Sequence, residues 1–152
     1  MKSTAGLVLV LVQLVSLIVL GEDGHDAYRN ARVVWETEEP TCFDNTLPLS
    51  EKLEAVPRFM VGGEMTEPKR NNSPKPTIEE MTATGERPWV LVFELVISAT
   101  GDTELVVSLK DGYPRMEALV GGKFAQWNWE PTTINEKPVC TRYILTHRIH
   151  YQ

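Results

Sequence analysis

The chain has 152 residues, with 15 Lys and Arg against 21 Asp and Glu, which gives a formal net charge of −6. This balance disfavours a nucleic-acid or anionic-membrane partner, because both are bound through clustered basic side chains. The length suits one domain that buries its own core without a dense disulfide framework.

The N-terminus is typical of a secretory signal peptide. Lys2 supplies a positive start, residues 7–20 are almost wholly apolar, and Gly21 precedes a polar boundary. We expect cleavage after Gly21 and a secreted single domain of residues 22–152, in which 14 basic against 21 acidic residues leave −7. The alternative is a membrane anchor, but a spanning helix wants about 20 apolar residues and this run is shorter. After cleavage we expect no membrane-embedded segment.

Short elements separated by turns are predicted for the first half of the mature chain. Asp26 is expected to cap a helical turn, and residues 32–38 (RVVWETE) predict a strand that Pro40 ends. Residues 49–56 have the apolar spacing of one or two helical turns. Residues 57–65 (PRFMVGGEM) predict a short strand with a glycine turn or bulge.

Cys42 and Cys140 are the only two cysteines. In an oxidising compartment the expectation is one disulfide that closes most of the domain. The loop-entropy model gives such a bridge about 4–5 kcal/mol for a loop on the order of 100 residues. The alternatives are free thiols or a bond to another chain, and nothing marks either thiol as catalytic.

Residues 66–77 (TEPKRNNSPKPT) are predicted to form an exposed, flexible loop, because they contain no large apolar side chain. The loop carries the sequon at Asn71. A glycan on Asn71 is one interpretation. The other is an unused match, since Pro74 directly follows the sequon serine.

Alternation and turn residues predict five antiparallel strands in the second half, at residues 88–98, 103–109, 114–120, 123–129 and 139–151. Asp111-Gly112 and Gly121-Gly122 have the composition of tight hairpin turns. The predicted fold is therefore all-β, a small antiparallel barrel or sandwich built around a C-terminal meander, with one or two short helical turns. The alternative is an α+β domain whose longer helices at 49–56 and 77–83 pack on the meander.

This topology resembles a small secreted lipocalin-type barrel. The points of resemblance are Trp35 on an early strand, the meander, and one disulfide between early and late segments. The chain departs from that family because no glycine stands two residues before Trp35 and no helix is expected after the last strand. The resemblance implies a barrel and transfers no binding residues.

One acid interrupts the apolar strand at residues 88–97 (PWVLVFELVI), and that acid is Glu94. Inside a barrel it would orient a ligand. On a solvent face it would pair across strands with Lys or Arg. A third interpretation is a buried pair with Arg142 or Arg148.

Trp127 and Trp129 are predicted to share one strand face, where they would form core, line a cavity or make an exposed binding surface. Phe93, Glu94, Trp127 and Trp129 are the candidate ligand-binding residues.

Motifs for catalysis are missing, since the chain has no G-x-S-x-G, P-loop or H-E-x-x-H. His147 and His150 would point to opposite faces of a strand, and His25 lies near the mature N-terminus. We expect no catalytic residue, metal site or cofactor.

The first functional hypothesis is a secreted, non-enzymatic binding protein that holds a small apolar or amphipathic ligand in a lipocalin-like barrel. The alternative is a secreted protein–protein interaction or inhibitor module with a solid core. It would contact an extracellular protein through residues 66–77 or through a face formed by Arg142, Arg148 and His150. An enzyme is the third hypothesis.

Overall fold

A computed structural model describes residues 28–151. Contacts divide the chain after Asn30, and all described helices and strands belong to the unit Ala31–Gln152. Residues 28–30 form a turn of their own. The predicted signal peptide (residues 1–21) and the cap at Asp26 lie outside the described residues.

Mainly β structure makes up the described part of this unit. Its strands are β1 (Arg32–Glu36), β2 (Lys69–Asn72), β3 (Val90–Ile97), β4 (Thr103–Ser108), β5 (Asn128–Glu130), β6 (Thr133–Ile134), β7 (Lys137–Pro138) and β8 (Thr141–Arg148). Its helices are α1 (Leu49–Glu54), α2 (Ile78–Ala83) and α3 (Pro114–Phe124).

A four-stranded antiparallel sheet in the order β1-β4-β3-β8 forms the centre. Two small antiparallel pairs, β2-β5 and β6-β7, stand beside it. Antiparallel pairing and short helices confirm the mostly β prediction. Within residues 28–151 no strand joins β1 to β8, so the sheet is open and the predicted barrel is not confirmed.

The predicted strands at 114–120 and 123–129 are wrong over most of their length, because residues 114–124 form α3. Pro114 occupies the first helical turn, where its missing N–H costs nothing. Met116, Val120 and Phe124 recur at four-residue intervals and are fully buried. Glu86 accepts hydrogen bonds from the amides of residues 115 and 116, which satisfies two unpaired donors of the first turn.

Gly121 explains why a glycine pair stands inside this helix. A Cβ at Gly121 would lie 2.5 Å from Cγ1 of Val34 on β1 and 3.3 Å from Cε1 of Phe93. A Cβ at Gly122 would meet nothing within 4 Å. The first glycine therefore lets α3 approach the sheet closely, and the predicted hairpin turn does not form.

The main core lies between α3 and the sheet. Its side chains come from one face of β3, from β4, from α3, from the segment that follows α3 and from the residue after β8: Leu91, Phe93, Leu95, Ile97, Val106, Met116, Val120, Phe124, Trp127, Trp129 and Ile149. Alternation assigns Trp89 and these four β3 residues to one apolar face; the four are buried as expected, whereas Trp89 is 71% exposed.

The opposite face of the sheet is also covered. Val96, Leu105 and Val107 point away from α3 and are fully buried, as are Leu53 and Val56 in and after α1. The predicted disulfide between Cys42 and Cys140 is confirmed. Cys42 is held in place by the buried Glu104 carboxylate, which accepts hydrogen bonds from the backbone amides of residues 41 and 42.

Two further segments differ from prediction. Residues 66–77 contain β2, which pairs with β5, and the Pro74 carbonyl accepts the Trp127 indole N–H at 2.7 Å. The side chains of β2 are exposed, as expected for this segment. Residues 57–65 form no strand, and only Arg58 makes a β-bridge, to Arg142.

We predict opposite effects for alanine at the two glycines of α3. Gly121→Ala overpacks the helix against Val34 and should lower the free energy of unfolding by about 1–3 kcal/mol. Gly122→Ala enters open space and should raise it by roughly 0.5–1 kcal/mol through helix propensity. Urea denaturation measures both, and destabilisation by both variants would favour a hairpin turn over the helix.

Candidate functional site

Glu94 lies in the middle of β3, on the face opposite α3, and has no solvent exposure. Its Oε1 accepts hydrogen bonds from Arg58 Nη2 at 2.9 Å and Nε at 3.2 Å. Arg142 Nη1 lies 3.4 Å from the same oxygen. The buried pair with Arg142 is therefore confirmed, and the solvent-face interpretation of Glu94 is wrong.

Arg58 is the partner of Glu94 that sequence reasoning missed. It comes from the segment after α1 and lies 36 residues away in the chain. Nothing local marks this pairing, since the segment was expected to form a strand of its own. The only signal was the acid itself, because a carboxylate in an otherwise apolar strand requires counter-charges when it is buried.

Residues 57–59, which we call the Arg58 segment, lie beside β8 at Arg142 only. Arg142 N–H donates to the Pro57 carbonyl at 2.8 Å, and Phe59 N–H donates to the Arg142 carbonyl at 2.9 Å. The bridge is parallel. Turn structure begins at residue 61, and among the described residues this segment makes no bridge to β8 beyond Arg142.

Beyond Arg142, alternate backbone groups of β8 point away from β3. Ile149 N–H donates to the Trp89 carbonyl on the β3 side, whereas Arg142 N–H points to the outer side. In an antiparallel ladder these directions alternate, so Ile144, Thr146 and Arg148 present their N–H and C=O groups outward. Among residues 28–151, no strand pairs with this edge.

The side chains of this edge are accessible. Ile144 is 42% exposed. Thr146, Arg148 and His150 are exposed as well. The face predicted from Arg142, Arg148 and His150 needs a correction, because the Arg142 side chain is only 14% exposed and is bound to Glu94 and the Val56 carbonyl.

A cleft of about 250 Å³ opens where the Arg58 segment leaves β8. It is lined by Arg58, Phe59, Val61, Glu67, Tyr143 and Ile144. The Tyr143 hydroxyl donates to Glu67 at 2.7 Å. Burial, followed by this hydrogen bond and the Glu67 charge, raises the pKa of Tyr143 to about 12. At ordinary pH the cleft therefore presents a neutral Tyr143 hydroxyl and apolar walls, together with the guanidinium of Arg58 and the carboxyl group of Glu67.

Basic side chains also lie on the α3 side of β8. Burial, with additional effects from the Lys75 and Arg70 charges, lowers the pKa of His147 below its ordinary value. Its ring packs edge-on against Phe124, with centroids 5.7 Å apart. His147 is therefore uncharged near pH 7, and the basic character on this side comes from Lys75 and Arg70.

Three of the four predicted ligand-binding residues lie together in the core. Phe93, Trp127 and Trp129 are at most 3% exposed. Phe93 and Trp127 contact Phe124 with centroids 5.0 and 4.4 Å away, and the two tryptophan rings lie 5.7 Å apart. Glu94 is on the other face of β3, so the four do not line one surface. Their role in ligand binding stays a prediction.

The indole N–H groups of both tryptophans are satisfied inside the protein. Trp127 donates to the Pro74 carbonyl at 2.7 Å, and Trp129 donates to the Thr103 hydroxyl at 3.0 Å. Buried indoles usually find such partners. These contacts leave neither N–H available to a ligand in this conformation.

The other predicted features are placed as follows. Asn71 is exposed on β2, and its glycosylation stays a prediction. Within the described residues, no group of three metal-ligating side chains is found. In the same part of the chain, no helix is long and apolar enough to cross a membrane.

Comparison with known proteins gives no relative. The chain matches no protein-family model, no curated protein and no solved structure at a significant level.

We predict that Glu94→Gln destabilises the protein strongly. The change leaves two arginines beside a neutral amide, and breaking a buried ion pair typically costs 3–5 kcal/mol. We expect about 3 kcal/mol, because the Arg58 side chain is 39% exposed and keeps access to water. Urea denaturation at pH 7 measures the loss.

Glu80→Gln is the matched control, since Glu80 pairs with Lys123 at 3.3 Å on the surface. Its free energy of unfolding should stay close to that of the wild type. Equal, small losses in both variants would contradict the buried ion cluster.

Proposed function

We propose that the protein is a secreted, non-enzymatic binding protein that recognises another extracellular protein through the exposed surface beside β8. This is the solid-core alternative from the sequence. The observation that carries it is the combination of a filled aromatic core with a strand edge that no described strand covers from Ile144 to Arg148.

The core supports this proposal over an interior ligand. A ligand cavity would have to be lined by side chains with free surface. Phe93, Trp127 and Trp129 instead contact other aromatic rings, and both indole N–H groups bond to protein oxygens. A second argument against an interior ligand is that the four-stranded sheet is open among the described residues, whereas an enclosed lumen needs a closed barrel.

The disulfide between Cys42 and Cys140 supports a secreted protein, because such bonds persist in oxidising compartments. Exposed surface groups support a recognition role. Ile144 and Arg148 are available beside unpaired backbone groups, and exposed strand edges are sites of strand addition by partner chains.

We predict that Trp127→Ala and Trp89→Ala differ sharply in stability. Trp127 is 2% exposed and fills the core, so its truncation should lower the free energy of unfolding by about 3–5 kcal/mol. Trp89 is 71% exposed, and its truncation should change stability by less than about 1 kcal/mol. Denaturation of both variants measures the difference.

Native mass spectrometry of the secreted protein tests whether the core is solid or holds an interior ligand. We expect the mass of the chain, with or without a glycan, and no small molecule released on denaturation. A small molecule that leaves on unfolding, together with a mild effect of Trp127→Ala, would contradict the solid core and restore the interior ligand.

A further inference from the structure

The edge of β8 is occupied at one end and open at the other. Residues 57–59 make the two backbone hydrogen bonds available at Arg142. From Ile144 to Arg148, the outward N–H and C=O groups have no strand partner among the described residues. A strand placed in line with residues 57–59 would continue the sheet along this open stretch.

Basic side chains lie beside the open stretch on both faces of the sheet, and one acid, Glu67, lines the cleft at its start, where it accepts the Tyr143 hydroxyl. Arg148 is exposed on the Glu94 face, and Arg58 is partly exposed at the start of the edge. Arg70 and Lys75 lie near His147 on the other face. The whole chain carries −6, so this basic edge runs against the overall charge and favours an acidic occupant.

The cleft between Phe59, Val61 and Ile144 lies at the start of the same stretch. Its volume of about 250 Å³ suits a side chain rather than a large ligand. Peptides that add to a sheet edge gain affinity from main-chain hydrogen bonds and specificity from pockets for alternate side chains. The cleft is placed to serve as one such pocket.

We propose, on the basis of the function proposed above, that β8 binds an extended acidic segment of a partner protein. The segment lies beside Ile144, Thr146 and Arg148 as a fifth strand of the sheet. Its backbone bonds to the outward groups of these residues. Its carboxylates lie near Arg58 and Arg148 on one face and near Arg70 and Lys75 on the other.

A second copy of the chain is a poorer occupant. Two β8 edges side by side would bring the same basic groups together, and such like-charge contacts oppose pairing. Pairing β8 with β1 would match charge, since acidic Glu36, Glu38 and Glu39 line a cleft at the end of β1. A contact between β8 of one copy and β1 of the next joins two different surfaces and leaves an open edge at each end. Copies joined in this way grow into a fibre unless they close into a ring.

Thr146→Pro is the variant that tests strand addition. Residue 146 points its N–H away from β3, so proline removes an outward donor without removing a bond of the β3 ladder. Thr146→Val is the matched control, because it keeps the backbone donor and a β-branched side chain. Arg148→Glu tests the charge without a risk to the backbone, and Arg115→Glu makes the same charge change at an exposed position of α3.

The experiment is selection of random twelve-residue peptides, displayed on yeast, against the complete secreted protein. We expect the enriched peptides to be rich in Asp and Glu. Their affinity should fall at least tenfold with Thr146→Pro and about fivefold or more with Arg148→Glu. Affinity should be unchanged with Thr146→Val and Arg115→Glu.

The inference would be overturned by enriched peptides without acidic excess, by no enrichment at all, or by affinity for Arg148→Glu equal to that for the wild type. Self-association of the wild type that Thr146→Pro abolishes would assign the edge to a second copy and also overturn it. The solid core is tested separately by native mass spectrometry, so a failure of strand addition can be distinguished from a failure of the solid-core proposal.

Discussion

The buried carboxylate of Glu94 is the constraint on which the described arrangement depends. It stands at the centre of the sheet with no solvent exposure, and a carboxylate there needs counter-charges. Arg142 supplies one from the neighbouring strand, and Arg58 supplies the other from outside the sheet. The bond between Arg58 and Glu94 and the two backbone hydrogen bonds at Arg142 together hold residues 57–59 against β8.

The two faces of the sheet are stabilised by different interactions. On the α3 face, aromatic and aliphatic side chains fill the core, and both buried indoles bond to protein oxygens. On the other face, Glu94 is bonded to Arg58 and Arg142 and shares its side of the sheet with the buried Val96, Leu105 and Val107. Among the described residues, exposed side chains lie beside outward-pointing backbone groups at the edge of β8.

The local sequence pattern was sufficient to predict the strands β1, β3, β4 and β8, because alternation of apolar and polar residues over five or more positions indicates a strand. The disulfide followed from there being two cysteines. Helix α3 was missed because its glycine pair has the composition of a turn. What overrides that composition is the approach of Gly121 to Val34, a contact between residues far apart in the chain.

The candidate site could not be predicted for the same reason. Arg142 was proposed as a partner of Glu94, since both lie on strands with a readable alternation. Arg58 was not, because its segment has no regular element that would place it. The open edge depends on the order β1-β4-β3-β8, in which the last strand pairs with the third and ends the sheet. Strand order is a property of the folded chain and not of any single segment.

Amide hydrogen exchange of β8, measured by NMR at single residues, tests the central claim most directly. Amides bonded to β3, at Tyr143, Leu145 and His147, should be strongly protected. Amides that point outward, at Ile144, Thr146 and Arg148, should exchange far faster in the free protein. Equal protection of both sets would mean that another strand already covers the edge, and would contradict the account.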